Sequence, residues 1–363
     1  MTDAATRLLL WSAQDALRRR DWPQVDRLGR ALAAAPAAGE PSPAAAGRLL
    51  VAFASGLGRP DGAERFRAVA AAALPGFDRY RYLDDALGAA RPARASDAQA
   101  LDCLLTFAAA DVFLLEYPKC GRTWLRTMIG RTVERIGGVR LPDPADLRLA
   151  ARAVPRLPAI EVSHDDYPQL KPADRVATDK RIYADHRVLL LVRDPRDVLV
   201  SLHFQRTRRG EPGFGAARPE ETLSDLVRGP VGGLASLVAF YNAWAAARAV
   251  PRDFLLVTYE ELHADTAATL ARVLAFAGFG PVAPAIVDAV VAECAFDRMR
   301  AAEAAGAFVS DRLRPRDADD PESYKARRGR VGGFVDYLGA EDRAWIDARL
   351  AADLDPWFAA YRP

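Results

Sequence analysis

Three short stretches of this chain are apolar at every position: Val112-Phe113-Leu114-Leu115, Val188-Leu189-Leu190-Leu191-Val192 and Phe254-Leu255-Leu256-Val257. Such runs lack the in–out alternation of a half-solvated strand and fit strands buried on both faces. Each is followed by a polar turn and a helical stretch, at about 124–136, 196–206 and 262–276. Strands alternating with helices predict a parallel sheet covered by helices on both faces, a P-loop-like α/β domain. Ligands of such sheets sit beyond the carboxyl ends of the strands. A site is therefore expected among residues 116–124, 193–201 and 258–262.

The pattern does not reach the N-terminus. Before about residue 110 the chain is rich in Ala, Leu and Arg, and Leu17, Val25, Leu28 and Leu32 recur at helical spacing. Pro36, Pro60, Pro75 and the Glu40-Pro41-Ser42-Pro43 stretch divide it into short helices. Residues 1–108 are expected to form an all-helical module ahead of the α/β domain at 109–363. Segment 21–36 has the small-residue and proline placement of a tetratricopeptide-like second helix, faintly echoed at 62–75; a plain helical bundle is the alternative. The module is expected to shape access to the site or to bind a protein partner.

Bulk charge narrows the function. A net charge of +2 on 363 residues gives no reason to expect a nucleic-acid partner. Any anion must be held by local clusters of Arg and Lys. Three dispersed cysteines, Cys103, Cys120 and Cys294, offer neither a disulfide framework nor metal-ligand spacing, and a reducing cytoplasm is the expected compartment. Leu8 to Trp11 is too short an apolar run for a signal peptide. The uncharged stretch 229–247 contains Pro230, Gly232, Gly233 and Asn242, so a buried helix is expected there and no membrane span.

The first strand runs into Glu116-Tyr117-Pro118-Lys119-Cys120-Gly121-Arg122-Thr123-Trp124. A strand, a tight turn and a helix N-terminus present free backbone N–H groups and the positive end of a helix dipole to an anion. Lys119 adds a full charge, Thr123 a hydroxyl, and Gly121 a close backbone approach. An ordinary βα turn with an exposed lysine is the bland alternative. The Walker form G-x-x-x-x-G-K-[ST] is absent. The second strand ends in Arg193-Asp194-Pro195-Arg196-Asp197-Val198-Leu199-Val200-Ser201. Asp194 and Asp197 suit a helix start. Arg193 does not, and with Ser201 two turns on it can grip a phosphate.

YPKCGRTW resembles the 5′-phosphosulfate loop of the cytosolic-type sulfotransferases, usually YPKSGTTW, and RDPRDVLVS is similar to that family's second donor motif. The resemblance implies a sulfotransferase domain at 109–363 and 3′-phosphoadenosine 5′-phosphosulfate (PAPS) as donor, without a metal. It implies the 5′ side of the donor on Lys119, Cys120, Gly121, Arg122, Thr123 and Trp124, and the 3′-phosphate on Arg193 and Ser201. Three further segments resemble the family in collinear order: Tyr259-Glu260-Glu261-Leu262, whose tyrosine contacts the adenine; Cys294-Ala295-Phe296, with Phe296 retained; and Arg327-Arg328-Gly329, a loop over the 3′-phosphate. Departures stand at Cys120, Arg122, Val162, Cys294, Gly333 and Phe334. The stretch 312–324 ahead of that loop is expected to act as a lid.

Among four histidines, His164 lies between the two donor motifs, where the family places the base that deprotonates the acceptor hydroxyl or amine. Asp165 is the next candidate. Sulfuryl transfer proceeds in line through a loose transition state, so positioning and electrostatics carry it. Lys119 is then expected to neutralise charge on the leaving oxygen and His164 to take the proton. The acceptor class stays open: small alcohol, phenol, sugar, lipid or peptide. The competing readings are a P-loop nucleotide kinase, which lacks its Walker lysine, and a helical interaction protein with a nucleotide-binding but inactive C-terminal domain, against which Lys119 and His164 together count.

Overall fold

The computed structural model describes residues 2–35, 41–77, 80, 97–209, 219–306, 317 and 319–363. Pro36, Glu40 and part of the expected lid, 312–316 and 318, lie outside the described residues.

Four parallel strands form one sheet: β1 (Val112–Glu116), β2 (Ile160–Ser163), β3 (Arg187–Val192) and β4 (Asp253–Thr258), in the order β2-β1-β3-β4. The three apolar runs are β1, β3 and β4; β1 is buried at every position, but β4, at the sheet edge, is buried only at Val257, so the expectation of a strand covered on both faces fails there. The strand sequence reading left out is β2. With polar Glu161 and Ser163 on an edge strand that is buried only at Ile160, it carries no apolar run. Its register pairs Leu115 with Ser163, which sets Glu116 of β1 level with His164.

The crossover helices cover the sheet as expected for a doubly covered α/β layer. They include α6 (Arg122–Gly137), α8 (Pro195–Phe204), α10 (Leu234–Ala247), α11 (Tyr259–Ala264) and α12 (Thr266–Ala277). The helix expected at 262–276 is in fact two. Asp265 ends α11 and N-caps α12 by accepting from Ala268 N at 3.0 Å. Beyond Phe204 the chain widens into a π-helical turn, Gln205–Arg209. The uncharged stretch 229–247 supplies α10, with Trp244, Phe240 and Tyr241 fully buried. Among the described residues no helix is long and apolar enough to cross a membrane.

The N-terminal segment is helical among its described residues: α1 (Ala4–Arg19), α2 (Trp22–Ala33), α3 (Pro43–Gly56), α4 (Gly62–Ala73) and α5 (Asp97–Ala109). Gly47 lets α2 and α3 touch backbone to backbone, since a Cβ there would lie 2.3 Å from Ala33 N. These helices share one continuous hydrophobic core with the sheet. Phe107 of α5 stacks on Phe113 of β1, centroids 4.5 Å apart. Arg7 of α1, 1% exposed, pairs with buried Asp111 and donates to the carbonyls of Pro155 and Leu157.

Candidate active site

A cavity of about 1490 Å³ opens at the carboxyl ends of the strands and runs on to α1 and α5. Its lining contains Lys119, Gly121, Arg122, Thr123, Trp124, His164, Arg193, Ser201, Tyr259, Phe296, Arg327, Arg328 and Gly329. Residues spread over 211 positions of sequence (119 to 329) thus face one space.

The first loop turns through left-handed backbone at Lys119 (φ 84°) and Gly121 (φ 101°). Alternation of this kind aims successive N–H groups into a concavity. Gly121 is required twice over, because a Cβ would also sit 2.7 Å from the Tyr259 ring. Lys119 Nζ donates to Gln205 Oε1 at 2.9 Å, so the π-helical turn holds the ammonium. At the start of α6 no side chain of the N-cap serves the free amides; Arg122 N donates to Glu116 Oε2 at 3.2 Å.

Cys120 does not join the lining. Its side chain is fully buried against Tyr241, with Sγ 3.7 Å from the hydroxyl, and burial pushes the thiol well above its usual range. Only its backbone can face a ligand. Cys294 is likewise packed away from the cavity; its carbonyl accepts from Trp124 Nε1 at 2.9 Å and orients that indole. Both cysteines occupy interior volume that a hydroxyl would leave poorly solvated. All three cysteines are free and buried.

The second loop is fastened from below and above. The Tyr241 hydroxyl donates to Arg193 O at 2.7 Å and accepts from Arg193 N at 2.9 Å. Glu260 accepts from Asp194 N at 2.9 Å and from the Tyr361 hydroxyl at 2.7 Å, so the carboxylate beside Tyr259 braces this loop. Arg193 lies over the Tyr259 ring, Cζ 4.2 Å from the centroid, and its terminal nitrogen reaches Asp197 at 3.2 Å and Arg330 O at 3.0 Å. Its Nε is buried without a partner. Asp197 also accepts from Gly332 N and Phe334 N, both at 2.9 Å, and so pins the third loop beside Arg193.

That third loop is threaded tightly. Gly329 (φ 56°) lies on Phe296, where a Cβ would be 2.2 Å from the ring, and His263 Nε2 donates to its carbonyl at 2.8 Å. Arg327 lies against the rings of Phe204 and Tyr337, 4.7 and 4.9 Å from their centroids, and donates to Glu322 at 2.9 Å. Phe204 lies three residues beyond Ser201 on α8, which brings Arg327 to the Ser201 end of the cavity. Arg328 turns to Asp336 at 2.9 Å.

His164 follows β2 directly. Its Nε2 is 2.8 Å from an Arg122 terminal nitrogen, and Nδ1 lies 3.8 Å from Glu116 Oε1. A guanidinium can only donate, so Nε2 accepts and the ring proton sits on Nδ1. Arg122 is in turn paired with Glu116 at 3.2 Å. Burial first, and then the Arg122 charge, hold the imidazole well below its usual range, so it is neutral near pH 7. Burial raises the Glu116 carboxyl, against the pull of Arg122. Asp165 is committed elsewhere: it accepts from Lys180, from the Tyr183 hydroxyl at 2.9 Å and from Trp244 Nε1 at 2.8 Å. This anchor supports three consecutive left-handed residues, Asp165, Asp166 and Tyr167, at φ 49°, 71° and 49°. Strained backbone of this kind persists only where the surroundings hold it, and it fixes the exit of the His164 strand.

Sequence reasoning missed Glu116, Gln205 and Tyr241. Glu116 stood in the quoted motif but was not weighed. The other two carry no motif signal, because only folding brings them under the loops. Among the described residues no group of three or more His, Cys, Asp or Glu is placed to hold a metal.

Comparison with known proteins gives a single direction. Residues 109–357 match the family model of the sulfotransferase domain. Human sulfotransferase 2B1 is 28% identical over 276 residues, covering 68% of this chain and 68% of its own. Cytosolic sulfotransferase 17 of Arabidopsis thaliana is 26% identical over 259 residues, covering 66% and 73%. Among solved structures, mouse sulfotransferase SULT7A1 complexed with PAP aligns at 19% identity and a TM-score of 0.45, over 67% of this chain and 84% of that one.

Proposed function

The chain belongs to the sulfotransferase domain family, and from that premise we propose the assignment of its parts: PAPS as donor, a hydroxyl or amine acceptor, and His164 as general base. The observation that carries the reading is the convergence of Lys119, His164, Arg193, Ser201, Tyr259 and Arg327 on one cavity at the carboxyl edge of the sheet. The donor set fits a nucleotide with phosphates at both ends. One end offers a lysine and the amides of a helix start. The other offers Arg193, whose buried Nε is a donor still in need of an acceptor, with Ser201 and Arg327. Tyr259 and Phe296 supply the flat surfaces between them.

PAPS supplies the sulfuryl group and a good leaving nucleotide. Lys119, held by Gln205, places its charge where negative charge develops on the leaving side. The first-loop amides orient the 5′ end, and the third loop, clamped by Asp197, excludes water from the 3′ end. His164 is neutral and able to accept a proton. The Arg122 contact at Nε2 must open for the proton to arrive, and Glu116 beside Nδ1 then balances the imidazolium charge. The helices of residues 1–108 wall the far end of the cavity, where the acceptor enters. We place the protein in the cytoplasm, in keeping with three reduced cysteines.

Calorimetry with adenosine 3′,5′-bisphosphate (PAP) and AMP tests the donor. Charge-assisted hydrogen bonds contribute ~1.5–3 kcal/mol each, so PAP is expected to bind at least about tenfold tighter. Equal affinity would remove the 3′-phosphate site.

A further inference from the structure

Eight arginines line the cavity: Arg18, Arg122, Arg126, Arg148, Arg193, Arg327, Arg328 and Arg330. Seven have a carboxylate within ion-pair distance. Arg126 alone makes no ion pair or hydrogen bond among the described residues, and its Nε is buried without a partner. The side chain is partly buried, with Nε the atom withdrawn from water. Burial, followed by repulsion from Arg122, lowers its guanidinium to about 10, which still leaves it charged at neutral pH.

The carboxylates with the largest pull on it, Asp146 and Asp143, do not pair with it. Asp143 accepts from Ala145 N at 2.8 Å, and Asp146 caps helix α7 (Leu147–Ala153) by accepting from Arg148 N at 2.9 Å and Leu149 N at 3.1 Å. Both stay beyond ion-pair reach of Arg126. A buried cation without a counter-ion is costly, and a protein retains one where a ligand completes it. Position identifies which ligand. Arg126 is one helical turn beyond Arg122 on α6, and Arg122 is the residue that touches His164. The donor anions are accounted for by the first, second and third loops, and Arg126 belongs to none of them.

Resting on the reading of this site as a sulfotransferase, we propose that Arg126 is the specificity-determining residue for an anionic acceptor. The substrate class is a hydroxy or amino compound carrying a carboxylate or comparable anion. The anion pairs with Arg126 while the nucleophile meets His164, which Arg122, one helical turn before Arg126, already touches. A bidentate guanidinium–carboxylate contact would satisfy the buried Nε and one terminal nitrogen together.

The test uses the full chain loaded with PAP and two probe pairs: 4-hydroxyphenylacetate with its methyl ester, and 3-hydroxybutyrate with its methyl ester. Calorimetry is expected to show at least one acid binding about tenfold to a hundredfold tighter than its ester. Arg126→Gln should erase that preference while leaving PAP affinity unchanged, and Arg126→Lys should keep part of it. Equal binding of acid and ester, binding of neither member of both pairs, or a preference that survives in Arg126→Gln each overturns the assignment. Failure of the unmutated chain to bind PAP would fall on the donor reading instead, so the two are told apart. A thermal melt of Arg126→Gln with and without PAP confirms that a null result is not unfolding.

Discussion

His164 shows how a residue gains its properties from neighbours that the chain brings from elsewhere. Its proton-accepting nitrogen is covered by Arg122, and burial makes it a weaker base than a free imidazole. Replacing it with Ala should leave PAP affinity nearly unchanged and lower turnover by roughly 10²–10⁴-fold, the usual worth of a positioned base. The pH dependence has a definite sign. A histidine serving as base acts when neutral, and His164 titrates below 6.5 in the folded protein, so on the proposed role the acid limb of kcat/KM should fall below that pH. A limb at or above 6.5 would show that another group titrates. Full activity in a folded His164→Ala variant would move the base, and Asp165, already held by three donors, could not take over.

Single elements acquire meaning through what fastens them. Helix α8 begins with Asp194 as cap, as its sequence suggested, but Asp197 in its first turn does more than favour the helix dipole. Its two oxygens hold Gly332 and Phe334, and Arg193 lies at 3.2 Å. Asp197→Asn keeps the shape and removes the charge. We expect PAP affinity to fall by about tenfold or more, with faster hydrogen exchange at the Gly332 and Phe334 amides. Unchanged exchange would mean that the third loop is held by Phe296 and His263 alone. The legibility of elements followed apolar composition and not burial, since β4 is buried only at Val257 and still reads as an apolar run. Strands β1, β3 and β4 announced themselves as apolar runs, whereas edge strand β2, half polar, did not, although it carries the candidate base to the site.

At the scale of the whole molecule, the N-terminal helices and the sheet stand or fall together. Arg7 is buried against Asp111 and three backbone carbonyls. Arg7→Met should cost about 3–5 kcal/mol, because it strands a buried carboxylate. Adding Asp111→Asn should recover part of that loss; full additivity in denaturant melts would show that the pair is not coupled. Acid should loosen the same junction. His186 packs edge-on against Phe107 and Phe113, and burial holds it at about 4, below the usual 6.5. The unfolded chain therefore binds its proton first. Stability present above pH 6.5 is lost as pH falls toward 4, by on the order of 3 kcal/mol. His186→Phe should flatten that slope in thermal melts, and an unaltered slope would assign it to other groups.

Two kinds of information are separated in this chain. Local sequence determined the apolar strands, the helix starts, the two strand-to-helix loops and the helical character of the described residues before 110, because each depends on neighbours within a few positions. The YPKCGRTW and RDPRDVLVS segments, with three weaker ones in collinear order, carried the family resemblance. Only tertiary structure decided which side chains complete the site. It turned Cys120 inward to Tyr241, set Gln205 against Lys119 and aligned Glu116 with His164 through the β1–β2 register. It also left Arg126 facing the cavity without a counter-ion among the described residues. Each of these is a contact between distant parts of the chain or the lack of one, and no periodicity or spacing encodes it.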